Sequence, residues 1–149
     1  MKSKRSLLIP LILLVAAAVL VSGCTASAKT LEGEERDAVL AYSEPAADNL
    51  FAGMNANDYA AFSADFDEKI KESLNEAALG DIQTKVIGKV GKYVSREVQS
   101  VESTDKLITV VYKAKFEQDD NVTVRLVFNN DENHLISGLW FNSAKLQGK

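Results

Sequence analysis

The spacing of apolar residues changes twice along this chain. Leu7 to Val21 is an unbroken uncharged run. From about Glu34 to Met54, Val39, Tyr42, Ala46, Leu50 and Met54 step by three or four, which predicts a helix. Pro45 falls inside that stretch and either kinks the helix or opens a second one capped by Ser43. "NAND" at 55–58 predicts a turn able to cap the next helix. Tyr59, Phe62, Phe66, Ile70 and Leu74 follow at helical spacing, with Asp67 restarting the helix. Gly80 is expected to end it after Leu79, and Asp81 to cap one more short turn to Val90.

After Gly91 the period drops to two, the mark of strands. Tyr93 to Glu102 reads as a first strand. Its apolar face switches between Val98 and Val101, which predicts a bulge near Gln99. Lys106 to Phe116 reads as a second, with Ile108, Val110, Tyr112, Ala114 and Phe116 on one face. "EQDDN" turns the chain, and Val122, Val124, Leu126 and Phe128 make a third strand. "NNDEN" turns it again into a fourth, with Leu135, Ser137, Leu139 and Phe141 facing inward. Helices followed by strands predict an α+β fold: N-terminal helices packed on a four-stranded antiparallel meander sheet. The expected domain covers 34–145, behind a polar, unpatterned tether over 24–33.

The first 24 residues carry an address. Lys2, Lys4 and Arg5 precede the apolar run, and Ser22, Gly23 and Cys24 follow it, which describes a secretory signal over 1–23. The run contains Pro10 and falls short of the roughly 20 residues of a spanning helix. Removed or retained as an anchor, the basic start stays in the cytoplasm and the rest lies outside. "VSGC" resembles the lipobox of prokaryotic lipoproteins. That resemblance implies cleavage before Cys24 and a diacylglyceryl group on its thiol. Two acyl chains hold a protein firmly where one holds it marginally, at about 0.8 kcal/mol per buried methylene. The expected location is the extracytoplasmic face of the cell membrane. Cys24 is the sole cysteine of the 149 residues, so it has no disulfide partner.

The charge changes with the leader. The whole chain has 17 basic and 21 acidic residues; loss of Lys2, Lys4 and Arg5 leaves 14 basic ones and a net charge of −7. That disfavours nucleic acid as a partner, and anionic headgroups beyond the lipid itself.

"NDYAAFSADFDEKIKESL" (57–74), "GKYVSREVQSVE" (91–102), "VVYKAKFE" (110–117) and "SGLWFNS" (137–143) resemble one prokaryotic family, the domain of unknown function 3887. The likeness runs from about Glu35 to Ser143. It implies a cystatin-like fold, similar to the nuclear-transport-factor-like superfamily, with helices curled into a cone over a bent sheet. Members occur as lone lipoproteins and in front of α/β-hydrolase domains, and this chain is expected to be of the lone kind. The family brings no catalytic set.

The residues offer little chemistry of their own. His134, the one histidine, follows a hairpin turn and is expected to be a solvated turn residue. No zinc ligand set clusters, so no metal or other cofactor is expected. No Gly-x-Ser-x-Gly elbow exists, and "GKVGK" at 88–92 has the wrong spacing for a phosphate loop. Asp119-Asp120-Asn121 and Asn130-Asp131-Glu132 lack the central glycine and distal glutamate of a calcium loop and read as solvated turns. Asn121-Val122-Thr123 fits a glycosylation acceptor.

Two functional expectations remain. In the first, suggested by relatives that place an acid inside the cone, Asp65 is a general base desolvated by aromatics, with Tyr42 and Tyr112 donating to a developing oxyanion. The same three residues would line a pocket for a small apolar ligand. In the second, Val111, Arg125, Val127, Ile136 and Trp140 lie on the outer sheet face as an apolar patch around an arginine, a surface for a second copy or an envelope protein. The second, a binding module rather than an enzyme, is the favoured reading.

Overall fold

The computed structural model describes residues 27–148. The expected secretory signal and Cys24 lie outside the described residues. A short strand, β1 (Lys29–Thr30), leads into a long helix, α1 (Gly33–Ala56). Four short helical segments follow: α2 (Tyr59–Phe62), α3 (Glu68–Ser73), α4 (Glu76–Ile82) and, after a π-helical turn over Gln83–Ile87, α5 (Gly88–Val90). Then come β2 (Tyr93–Ser103), β3 (Leu107–Phe116), β4 (Asp119–Asn129) and β5 (Ile136–Asn142). The strands form one antiparallel sheet in chain order. The fold is α+β, a helical region followed by a sheet.

The sheet has five strands, not four. Lys29 pairs with Ser103 and Thr30 with Glu102, and the Leu31 N–H donates to Val101 O. Leu31 is buried in the core. Two residues are too few to show an alternation, so the stretch reads as a tether in sequence.

α1 does not restart at Pro45. Pro45 and Ala41 both lie on the exposed side, so the carbonyl that loses its donor faces water. Ser43 is no cap; it is buried inside the helix. α1 ends at Asn57, which takes a left-handed conformation (φ 56°) while Asp58 N–H reaches back to Gly53 O. Asp58 then caps α2 through Ala60 N and Ala61 N, Asp67 caps α3 through Ile70 N, and Asn75 caps α4 through Ala78 N. Gly80 does not stop the next helix. Leu79, Ile82, Val86 and Val90 keep helical spacing across it, and Asp81 is an interior helical residue.

The core lies between α1 and one sheet face. Val39, Ala46, Leu50, Phe51 and Met54 meet Ile108, Val110, Tyr112, Ala114 and Phe116 of β3 and Val122, Val124, Leu126 and Phe128 of β4. The expected bulge is present, a register shift between Val98 and Ser100. A second shift changes β5. Val127 pairs with Gly138 but Phe128 with Ile136, leaving Ser137 as the extra residue. This flips the phase, so Ile136 enters the core while Leu139, Trp140 and Phe141 keep their expected faces. The edge beyond β5 is partly covered: Ile136 N–H donates to Asp65 O and Asp67 N–H to Ile136 O.

His134 is not a solvated turn residue. It has a positive φ of 49°, and its ring stacks on Tyr42 with centroids 4.0 Å apart and planes 4° from parallel.

Candidate functional site

The outer face carries cross-strand rows set by register. Ser100, Val111, Arg125 and Trp140 lie side by side on β2 to β5, as do Glu102, Thr109, Val127 and Gly138. Trp140 is 57% exposed and folds back across Gly138. A Cβ built on Gly138 would stand 2.4 Å from Trp140 Cζ3, so only glycine admits the ring there. Val127, next to Gly138, is buried, whereas Arg125 is exposed and Val111 half-buried. Leu107, Thr109, Val127 and Trp140 line a shallow hollow of about 400 Å³ whose rim is Ile70 and Ser73 of α3. Of the residues expected on this face, the register brings together Val111, Arg125, Val127 and Trp140; Ile136 lies in the core.

Asp65, Tyr42 and Tyr112 occupy three different surroundings. Asp65 accepts from Asn49 Nδ2 at 2.9 Å on the solvent side of α1. Tyr42 stacks on His134, meets Phe128 edge-on, and lines a hollow of which Asp65 and Tyr112 form no part. Burial raises the Tyr42 hydroxyl above its ordinary pKa. Tyr112 is fully buried beside Ser43 and Glu44. Its hydroxyl is raised well above the usual range, by desolvation first and the Glu44 charge second.

The polar centre of the molecule is Arg96, which the sequence reading does not single out. Its side chain is 8% exposed and lies between α1 and the sheet. Nη2 reaches Glu44 Oε2 at 2.9 Å and Asp48 Oδ1 at 2.8 Å, and Nη1 donates to Tyr93 Oη at 3.0 Å. The guanidinium stands 5.7 Å from the Phe51 ring centroid and 5.5 Å from that of Tyr112. Desolvation works against its charge, but Asp48, Tyr93 and Glu44 outweigh it and hold the pKa above the ordinary arginine value. Ser43 Oγ, Glu44 Oε1, Arg96 Nε and Tyr112 Oη are buried without a hydrogen-bond partner. The cluster ties α1 to β2. One signal for it exists in sequence: Arg96 shares the strand phase of Val98, and Glu44 and Asp48 are one helical turn apart.

Among the described residues, no group of three or more His, Cys, Asp or Glu side chains is placed to hold a metal ion. The acidic turns use their carboxylates on backbone: Asp119 accepts from Asn121 N, and Asp131 from Asn133 N and His134 N. Asn121 is exposed. Among the described residues, no helix is long and apolar enough to cross a membrane.

The chain is thus an α+β domain with one sheet face under helices and the other carrying an exposed tryptophan. A family model described as "Protein of unknown function (DUF3887)" matches residues 47–139, more than half of the chain, and the protein belongs to that family. The matched span takes in Asp48, Arg96, Val111 and Arg125 and stops just before Trp140. No curated protein and no solved structure matches the chain.

Proposed function

We propose that this protein is an extracytoplasmic lipoprotein, tethered to the membrane through a lipid on Cys24, and that it works as a binding module. In this reading the helical layer and the bent sheet form a cystatin-like cone whose outer face is the contact surface. The observation that carries it is Trp140, 57% exposed beside Arg125 and Val111 on a face that α1 does not cover. An exposed tryptophan next to an arginine is the kind of anchor that dominates protein interfaces. The partner proposed is a second copy of the chain.

The test is native mass spectrometry of the protein extracted from its own membrane, with Trp140→Ser/Val111→Thr as the comparison. Val127 is left alone because it is buried. A lipidated dimer starting at Cys24, converted to a folded monomer by the two substitutions, is the expected result. An unlipidated full-length mass would overturn the tether. A complex with another envelope protein would overturn self-association but keep the module. A monomer without any companion would overturn the module.

A further inference from the structure

We propose that the hollow at the β1 end of the helix–sheet sandwich binds a cationic amphiphile, a molecule with a short apolar chain and an ammonium head. The hollow measures about 380 Å³, within the roughly 300–1,000 Å³ of small-molecule sites. Its floor is apolar: Leu31, Val39 and Ile108, all in the core, with Ala38 at the mouth. This floor suits an alkyl chain.

The polar groups around it include acceptors. Asn130 uses its Nδ2 on Thr104 O, which leaves its side-chain carbonyl oxygen uncommitted. Glu35 presents a carboxylate, shared with Lys29 at 2.6 Å. Tyr42 offers an aromatic ring, to which cations are drawn. His134 Nδ1 is buried without a partner.

Charge points the same way. The start of α1 brings Glu34, Glu35 and Asp37, and the β4–β5 turn brings Asp131 and Glu132, against Lys29 and Arg36; Asp105 and Lys106 of the β2–β3 turn cancel. A carboxylate head would be repelled there and an ammonium head attracted.

The full-length chain in phosphatidylcholine nanodiscs, with empty discs as the partition reference, is titrated with propyl-, butyl-, pentyl- and hexylamine. Binding is read from the methyl resonances of Leu31, Val39 and Ile108 and the His134 ring. Affinity is expected to rise about fourfold per methylene, as each joins the apolar floor. Hexanoate should bind at least about tenfold more weakly than hexylamine. Ala38→Phe, at an exposed position, should block hexylamine, and Glu35→Gln should weaken hexylamine but not hexanol. Equal binding of hexanoate, no dependence on chain length, shifts absent from the methyls of those three residues, or full binding by Ala38→Phe would each overturn the proposal.

Discussion

Replacing Gly53 with alanine should destabilise the protein, although helix propensity alone predicts a gain of about 1 kcal/mol. The reason is the approach of α2 to α1. A Cβ at position 53 would stand 2.1 Å from Phe62 N, 2.6 Å from Phe62 Cα and 2.8 Å from Ala61 C. Carbon contacts settle near 3.5–4.0 Å, so α2 would have to retreat by more than about 1 Å. It is not free to do so, because Asp58 caps it and the Phe62 ring is buried 5.0 Å from Phe66. Overpacking costs about 1–3 kcal/mol, and a clash with backbone belongs at the upper end. Setting the propensity gain against it leaves a net loss of about 2 kcal/mol, or about 8 °C in Tm. Gly80 is the control: it is exposed in α4 and a Cβ there meets nothing within 4 Å. Gly80→Ala should therefore gain about 0.5–1 kcal/mol. Urea and thermal unfolding followed by far-UV circular dichroism measure both. If Gly53→Ala is as stable as the parent, or the two variants shift in the same direction, the α1–α2 contact is not the constraint described.

Three further outcomes follow from the core and its caps. Arg96→Leu should cost about 3 kcal/mol in urea unfolding, because Glu44 stays half-buried without its cation; adding Glu44→Leu should recover at least about 1 kcal/mol. Asp67→Ala should cost about 1–2 kcal/mol, since Asp67 both caps α3 and accepts from Asn129 Nδ2 at 2.9 Å; an unchanged urea midpoint would refute this. Tyr42 and Tyr112 have pKa values raised by burial in the folded state, so their contribution is complete below the unfolded value near 10 and is lost as pH rises beyond it. Stability should thus fall from about pH 10 upward, less steeply in Tyr112→Phe, as read from urea midpoints and tyrosinate absorbance.

The long elements are legible in sequence because burial imposes a period on them. β3 and β4 pack one whole face on α1, so their alternation is clean, and the switch between Val98 and Val101 announces a real bulge. What escapes a periodic reading are single residues and pairings. β1 is too short to alternate, and the extra residue Ser137 shifts the phase at the start of β5 alone, so Ile136 changes sides. Gly80 resembles a stop, yet the apolar spacing of Leu79, Ile82, Val86 and Val90 outweighs it. The Arg96 cluster draws on residues 52 positions apart, a distance no local pattern spans. The outer-face ladder was accessible only in part, because Val111, Arg125 and Trp140 are brought abreast by register.

The pairing of Lys29 with Ser103 also sets a leash. Lys29 follows Cys24 by five positions, a contour of at most about 18 Å. A domain of this size is about 35 Å across. With the proposed lipid on Cys24, the whole module would patrol a thin layer, no more than about 55 Å deep, over its own membrane. Ser103 and the Trp140 row are three residues apart along β2, about 10 Å, and Trp140 itself lies three strands further across the sheet. Any partner would have to come to the membrane, or already live in it, to be met.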